Sequence, residues 1–163
     1  MTMTTIQMPD GIVLDEASYS TTFGRFIIQP LEKGYGVTIG NSFRRVLLSS
    51  LTGSAIVAVK VHGVEHEFST IEGVVEDVSE IVLNLKEVRL KAINPKATTI
   101  NVTVQGPGTF AASDIQAASP EFEILNPMQH IATLNENTTL EMELRIGTGR
   151  GYIPADENKL PDH

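Results

Sequence analysis

The pattern of apolar positions changes character along this chain. Residues 1–22 are polar and threonine-rich, with Pro9, Asp10 and Gly11 marking a turn. An extended apolar segment follows over 23–31, rich in Phe and Ile and closed by Pro30. Gly34, Gly36 and Gly40 punctuate a short stretch that leads into a helix. From Thr38 the spacing is helical, because Ile39, Phe43, Val46 and Leu47 recur at i, i+4, i+7 and i+8. Thr38 is the expected N-terminal cap, and Gly53 is the expected stop after Leu51.

A second region begins near Leu51. Residues 55–62 alternate as a strand does, with Ile56, Ala58 and Lys60 on one face and Ala55, Val57, Val59 and Val61 on the other. Ser69 and Glu72 fit a capping box ahead of a second helix, whose apolar positions are Val74, Val78, Ile81, Val82 and Leu85. Beyond Lys86 the period becomes two. Ile100, Val102 and Val104 form one alternating set, and Leu140, Met142, Leu144 and Ile146 form another. Gly106, Pro107 and Gly108 make a turn between strands, and the polar tail 154–163 reads as loop.

The fold class is therefore α+β: a strand–helix unit over 1–50, then a mostly antiparallel β region with one helix over 51–163. The first unit has a good amphipathic helix but only one or two strands to cover it. A unit of that size does not stabilise itself. Cover must come from the second region, from a second chain, or from elements beyond residue 163.

Composition narrows the class. A chain of 163 residues can bury about two-thirds of its unfolded surface. With 41% hydrophobic and 20% charged residues it is neither disordered nor membrane-embedded. It has no secretory signal pattern, so a cytoplasmic protein is expected. The absence of cysteine excludes disulfides, thiolate metal sites and cysteine nucleophiles. The net charge of −8 is unevenly placed. Arg25, Lys33, Arg44 and Arg45 balance Asp10, Asp15, Glu16 and Glu32 in the first unit, so the excess lies wholly in the second. An acidic second half repels a phosphate backbone, and no direct nucleic-acid contact is expected.

Several patterns invite chemistry. The glycines at 34, 36 and 40 suggest a dinucleotide fingerprint, but Ile39 stands where its third glycine belongs and no P-loop lysine follows. Glycines shaping a tight turn into a helix account for them. His62, His66 and Glu67 are possible zinc ligands, but Gly63 places them around an expected hairpin turn, and no helical H-E-x-x-H is present. Glu72, Glu76, Asp77 and Glu80 suit the first turns of the second helix, where carboxylates favour the N-terminus. Ser49, Ser50 and Ser54 lack a Gly-x-Ser-x-Gly setting. Arg44 and Arg45 lie beside an apolar stripe that Leu47 and Leu48 widen. They are either solvated surface residues or interface arginines. A small metal enzyme, a standalone acidic binding module and an assembly protein all stay open at this level.

One run is more specific. Pro30, Leu31, Glu32, Gly34, Gly36, Thr38, Gly40, Asn41, Arg44, Arg45, Leu47, Leu48, Ser49 and Ser50 together resemble the signature of the bacterial RNA polymerase alpha-subunit family, in its N-terminal domain. The likeness continues through 63–70, 73–78 and 81–86, and returns at 149–154. It is weakest over 94–127.

The resemblance implies a non-catalytic scaffold with no cofactor and no metal. In this family two alpha subunits form a homodimer, which recruits the large beta and beta-prime subunits. Residues 1–50 would be the first part of the dimerisation platform, and 51–163 the insertion domain. Tyr35, Ile39, Phe43 and Val46 would then meet their copies, while Arg45, Leu48 and Lys86 match positions that engage the large subunits. The family pattern continues past the insertion with the rest of the platform, a linker and a DNA-contacting domain. On that pattern this sequence is expected to be a fragment.

Overall fold

The computed structural model describes residues 6–135 and 137–158, which divide into two compact units, Met1–Ser50 and Leu51–His163. In the first, strands β1 (Gly11–Leu14) and β2 (Phe26–Gln29) pair antiparallel, with Ile12 opposite Ile28 and Val13 opposite Ile27. Helix α1 (Tyr35–Ser49) follows. The polar reading of 1–22 missed β1, whose apolar run is only Ile12, Val13 and Leu14.

The helix also begins a turn earlier than the Thr38 cap predicts. Gly34, at φ +96°, takes the left-handed conformation that swings the chain into α1, at no steric cost because glycine has no Cβ. The helix ends at Ser49, where Ser50 N–H donates to Val46 O, so Gly53 is not its stop.

The second unit is built on a five-stranded antiparallel sheet of β3 (Thr52–Val61), β4 (Leu90–Ala92), β5 (Thr99–Gln105), β7 (Phe122–Ile124) and β9 (Thr139–Arg150). Their order across the sheet is β5-β9-β3-β4-β7. A separate ladder pairs β6 (Gly108–Ala111) with β8 (His130–Leu134), and helices α2 (Val78–Lys86) and α3 (Ala112–Ala118) complete the unit. The two alternating sets read from sequence are direct neighbours: Ile100 faces Leu144, Val102 faces Met142 and Val104 faces Leu140. Their inward side chains join Ile81, Phe110, Ile115, Phe122 and Ile131 in one core.

Three local expectations need correction. The faces assigned to β3 switch midway, because a bulge between Ile56 and Ala58 shifts the pairing with β9. Ile56 therefore packs against the core together with Val59 and Val61. An extra residue reverses which side every later side chain takes. Helix α2 starts at Val78, not after Ser69, and Asp77 caps it by accepting from Glu80 N–H at 2.7 Å. Gly73 adopts φ +78° and Val74 bridges to Leu134, so neither is helical. Finally, the described residues of this region hold two helices, not one. The stretch forming α3 is only seven residues, too short for helical periodicity to show.

Helix α3 packs against both β5 and β7, the opposite edges of the large sheet. There Gln116 serves β7 as a neighbouring strand would. Its amide Nε2 donates to Phe122 O at 2.9 Å, and its Oε1 accepts from Ile124 N–H at 2.6 Å. Replacing Gln116 with Leu strips both bonds from partly buried backbone and is expected to destabilise the protein by about 2 kcal/mol. Urea denaturation measures this, and an unchanged midpoint would mean that water serves the edge equally well.

Candidate functional site

Helix α1 folds locally as its stripe predicts, yet none of its residues is buried. At 3.6 residues per turn, Tyr35, Ile39, Phe43 and Val46 share one side. Arg45 and Leu48 lie on the side away from that stripe, with Val37 and Arg44. Phe43 and Val46 are 47% and 48% exposed, so each keeps about half of its surface in contact with water. Leu47 and Leu48 are more exposed still.

The stripe has a cavity beside it. Ile39 and Phe43, with Gly36 and Gly40, form one wall of an apolar groove of about 370 Å³, and Phe26, Ile28 and Leu31 line the other. Gly36 and Gly40 face open space, and a Cβ at either would meet nothing within 4 Å. Contiguous exposed apolar side chains of this kind mark a surface that another segment or chain covers.

On the other side of α1, neither Arg44 nor Arg45 has a carboxylate within ion-pair distance among the described residues. Ser49 Oγ donates to Arg45 O at 2.6 Å and so closes the helix on itself. Lys86, the remaining candidate, is exposed in the last turn of α2 in the second unit.

The residues weighed for metal chemistry do not converge. No group of three His, Asp or Glu is placed to hold an ion among the described residues. Gly63 does turn at φ +77°, but residues 64–73 form no strand, so the expected hairpin is absent. His66 Nδ1 instead lies 3.1 Å from Ser69 Oγ. Ser54 Oγ lies 3.2 Å from Thr148 Oγ1, a cross-strand contact of β3 and β9.

One acidic residue has a role that sequence reading missed. Its sequence position suits Glu76 to the helix start, but it precedes α2 and is only 9% exposed. Its carboxylate takes His130 Nε2 at 2.8 Å, Thr133 N–H at 2.6 Å and Thr133 Oγ1 at 3.1 Å. An ionised carboxylate only accepts, so His130 carries its proton on Nε2 here. Burial is the largest single influence and works against ionisation. The bonds from His130, Thr133 N–H, its own backbone N–H and the Thr133 hydroxyl outweigh it and hold the carboxyl below its ordinary value. The cluster ties the segment before α2 to β8. No local pattern announces it, because its partners lie more than fifty residues away.

Comparison with known proteins adds a second line. Residues 59–163 match the family described as the RNA polymerase Rpb3/RpoA insert domain. The chain is 56% identical over 154 residues to the DNA-directed RNA polymerase subunit alpha of Chloroherpeton thalassium, covering 94% of this chain and 47% of that relative. It is 54% identical over 157 residues to the same subunit of Salinibacter ruber, covering 96% and 47%. Against that of Chlorobaculum tepidum the identity is 56% over 154 residues, covering 94% and 47%. The chain spans about half the length of the curated relatives it matches.

Proposed function

We propose, because this chain belongs to the RNA polymerase alpha-subunit family, that it acts as an assembly scaffold for DNA-directed RNA polymerase in the bacterial cytoplasm. It supplies surfaces, not reacting groups. Residues 1–50 are the first part of a dimerisation platform, and 51–163 are the insertion domain. Two copies associate through Tyr35, Ile39, Phe43 and Val46. Arg45, Leu48 and Lys86 engage the large beta and beta-prime subunits, and the acidic insertion domain meets protein, not nucleic acid.

The observation that carries this reading is α1, a fifteen-residue amphipathic helix without a buried residue. A hairpin of two short strands gives it too little cover for independent stability. Burying its large apolar side chains against a copy contributes about 1.5–3 kcal/mol for each one fully covered. A two-fold arrangement lets one stripe meet its own duplicate. Arg45 and Leu48, on the side away from the stripe, stay available to a further partner. A planar guanidinium without an internal carboxylate suits such a contact.

Arg45→Ala tests the second surface. In the complete subunit it is expected to leave the dimer and its melting curve intact while weakening recruitment of the large subunits by about tenfold. Reconstitution from purified subunits measures this. Unchanged recruitment would remove Arg45 from the contact.

A further inference from the structure

Lys86 is the last residue of α2. The final carbonyls of a helix lack intrahelical donors, and a last turn frays unless other groups hold it. Here the exit is pinned from outside the helix. Asn126, in the turn after β7, donates from Nδ2 to Glu87 O at 2.9 Å, and its Oδ1 accepts from Arg89 N–H at 2.7 Å. Leu125 N–H donates to Arg89 O at 2.8 Å. On the other side of Lys86 in sequence, Asn84 Nδ2 donates to Ile131 O on β8 at 3.0 Å. The chain is thus tied two residues before Lys86 and one residue after it. The turn that carries Asn126 is itself fixed to the start of α3. Ser113 N–H donates to Pro127 O and Ala112 N–H donates to Gln129 O, both at 2.9 Å.

Resting on the reading that Lys86 engages a large subunit, we propose that Asn126 is a positioning residue for that contact. It acts through Lys86 and not by touching the partner. The side chain of Lys86 is a compact charge on a flexible stem, and its backbone sits where a helix would otherwise fray. Holding the exit of α2 in one geometry orders that backbone before binding, which removes this part of the cost of association. The amide of Asn126 is suited to the task because it serves the 87–89 connection as donor and as acceptor at once. An aliphatic side chain at 126 would do neither.

The test uses the complete subunit and the purified large subunits. Asn126→Ala is expected to weaken association by about fivefold. In a Lys86→Ala background it should weaken it no further, since two residues that act through one contact are not additive. Hydrogen exchange of the free subunit supplies a readout that general destabilisation does not share. In the Asn126→Ala variant the Arg89 amide should exchange faster, while the amides of Ile100 and Leu144 in the core keep their protection. If Lys86→Ala has no effect on association, the underlying reading falls and takes this role with it. If Lys86→Ala weakens association and Asn126→Ala does not, the positioning role alone is overturned. It is overturned too if the Asn126→Ala loss is as large in the Lys86→Ala background, or if exchange rises equally in the core. Either result assigns Asn126 to the general stability of the unit.

Discussion

On the proposed pairing of two α1 stripes, Phe43→Glu in the complete subunit is expected to leave a monomer at concentrations where that pairing would make the unaltered protein a dimer. Phe43 is half-exposed, at the centre of the α1 stripe and on the wall of the apolar groove. In a two-fold interface one substitution enters twice, placing two carboxylates in a desolvated patch. A charge taken out of water without a partner costs several kcal/mol, and the lost aromatic contact adds to this. The dissociation constant is therefore expected to rise by at least about a thousandfold. Sedimentation equilibrium measures it, and assembly with the large subunits should fail in parallel. The isolated monomer loses little by the change, since Phe43 already touches water. A retained dimer would move the interface away from this stripe.

Glu76→Ala is expected to destabilise the second unit by about 3 kcal/mol near neutral pH. The substitution removes a nearly buried carboxylate that satisfies His130, Thr133 N–H and the Thr133 hydroxyl. It also leaves the Thr133 N–H without its acceptor. Glu76→Gln should retain part of the loss, because an amide oxygen still accepts one bond. The pH dependence identifies the charge. The carboxyl is held below its ordinary value in the folded protein, so the unfolded chain binds more protons in the interval between the two values. Its contribution is fully present above the ordinary value of 4.5 and is lost as pH falls through the lower folded value. Denaturant titrations on both sides of pH 4.5 should therefore show the Ala variant's deficit shrinking with acid. A deficit independent of pH would assign the loss to packing alone.

Much of this was legible in local patterns. The stripe from Ile39 to Leu47 gave α1 its face, and period-two runs gave β5 and β9 their inward residues. The signature around Gly34 to Ser50 pointed to the family that the comparisons support. What escaped depends on long-range partners or on segments too short to show a period. Val57 reads as one more alternating residue, and only its mismatch with β9 reveals the bulge. Gln116 reads as an ordinary polar residue until β7 arrives with an unpaired edge. Glu76 fits a helix start by charge and position, and only β8 shows that it is instead a buried tether. The early start of α1 turned on Gly34 taking a positive φ, which a side-chain cap rule does not anticipate.

In the proposed scaffold, the open stripe of α1 meets a second copy of itself. A cysteine scan of α1 in the complete subunit, with any cysteine elsewhere replaced, probes that contact position by position. The chain described here has no thiol of its own. Oxidation of the purified subunit, without the large subunits, should give covalent dimers at positions drawn from Tyr35→Cys, Ile39→Cys, Phe43→Cys and Val46→Cys, and none from Val37→Cys or Leu48→Cys. Covalent dimers formed through Val37→Cys or Leu48→Cys, or none at any of the six positions, would contradict it.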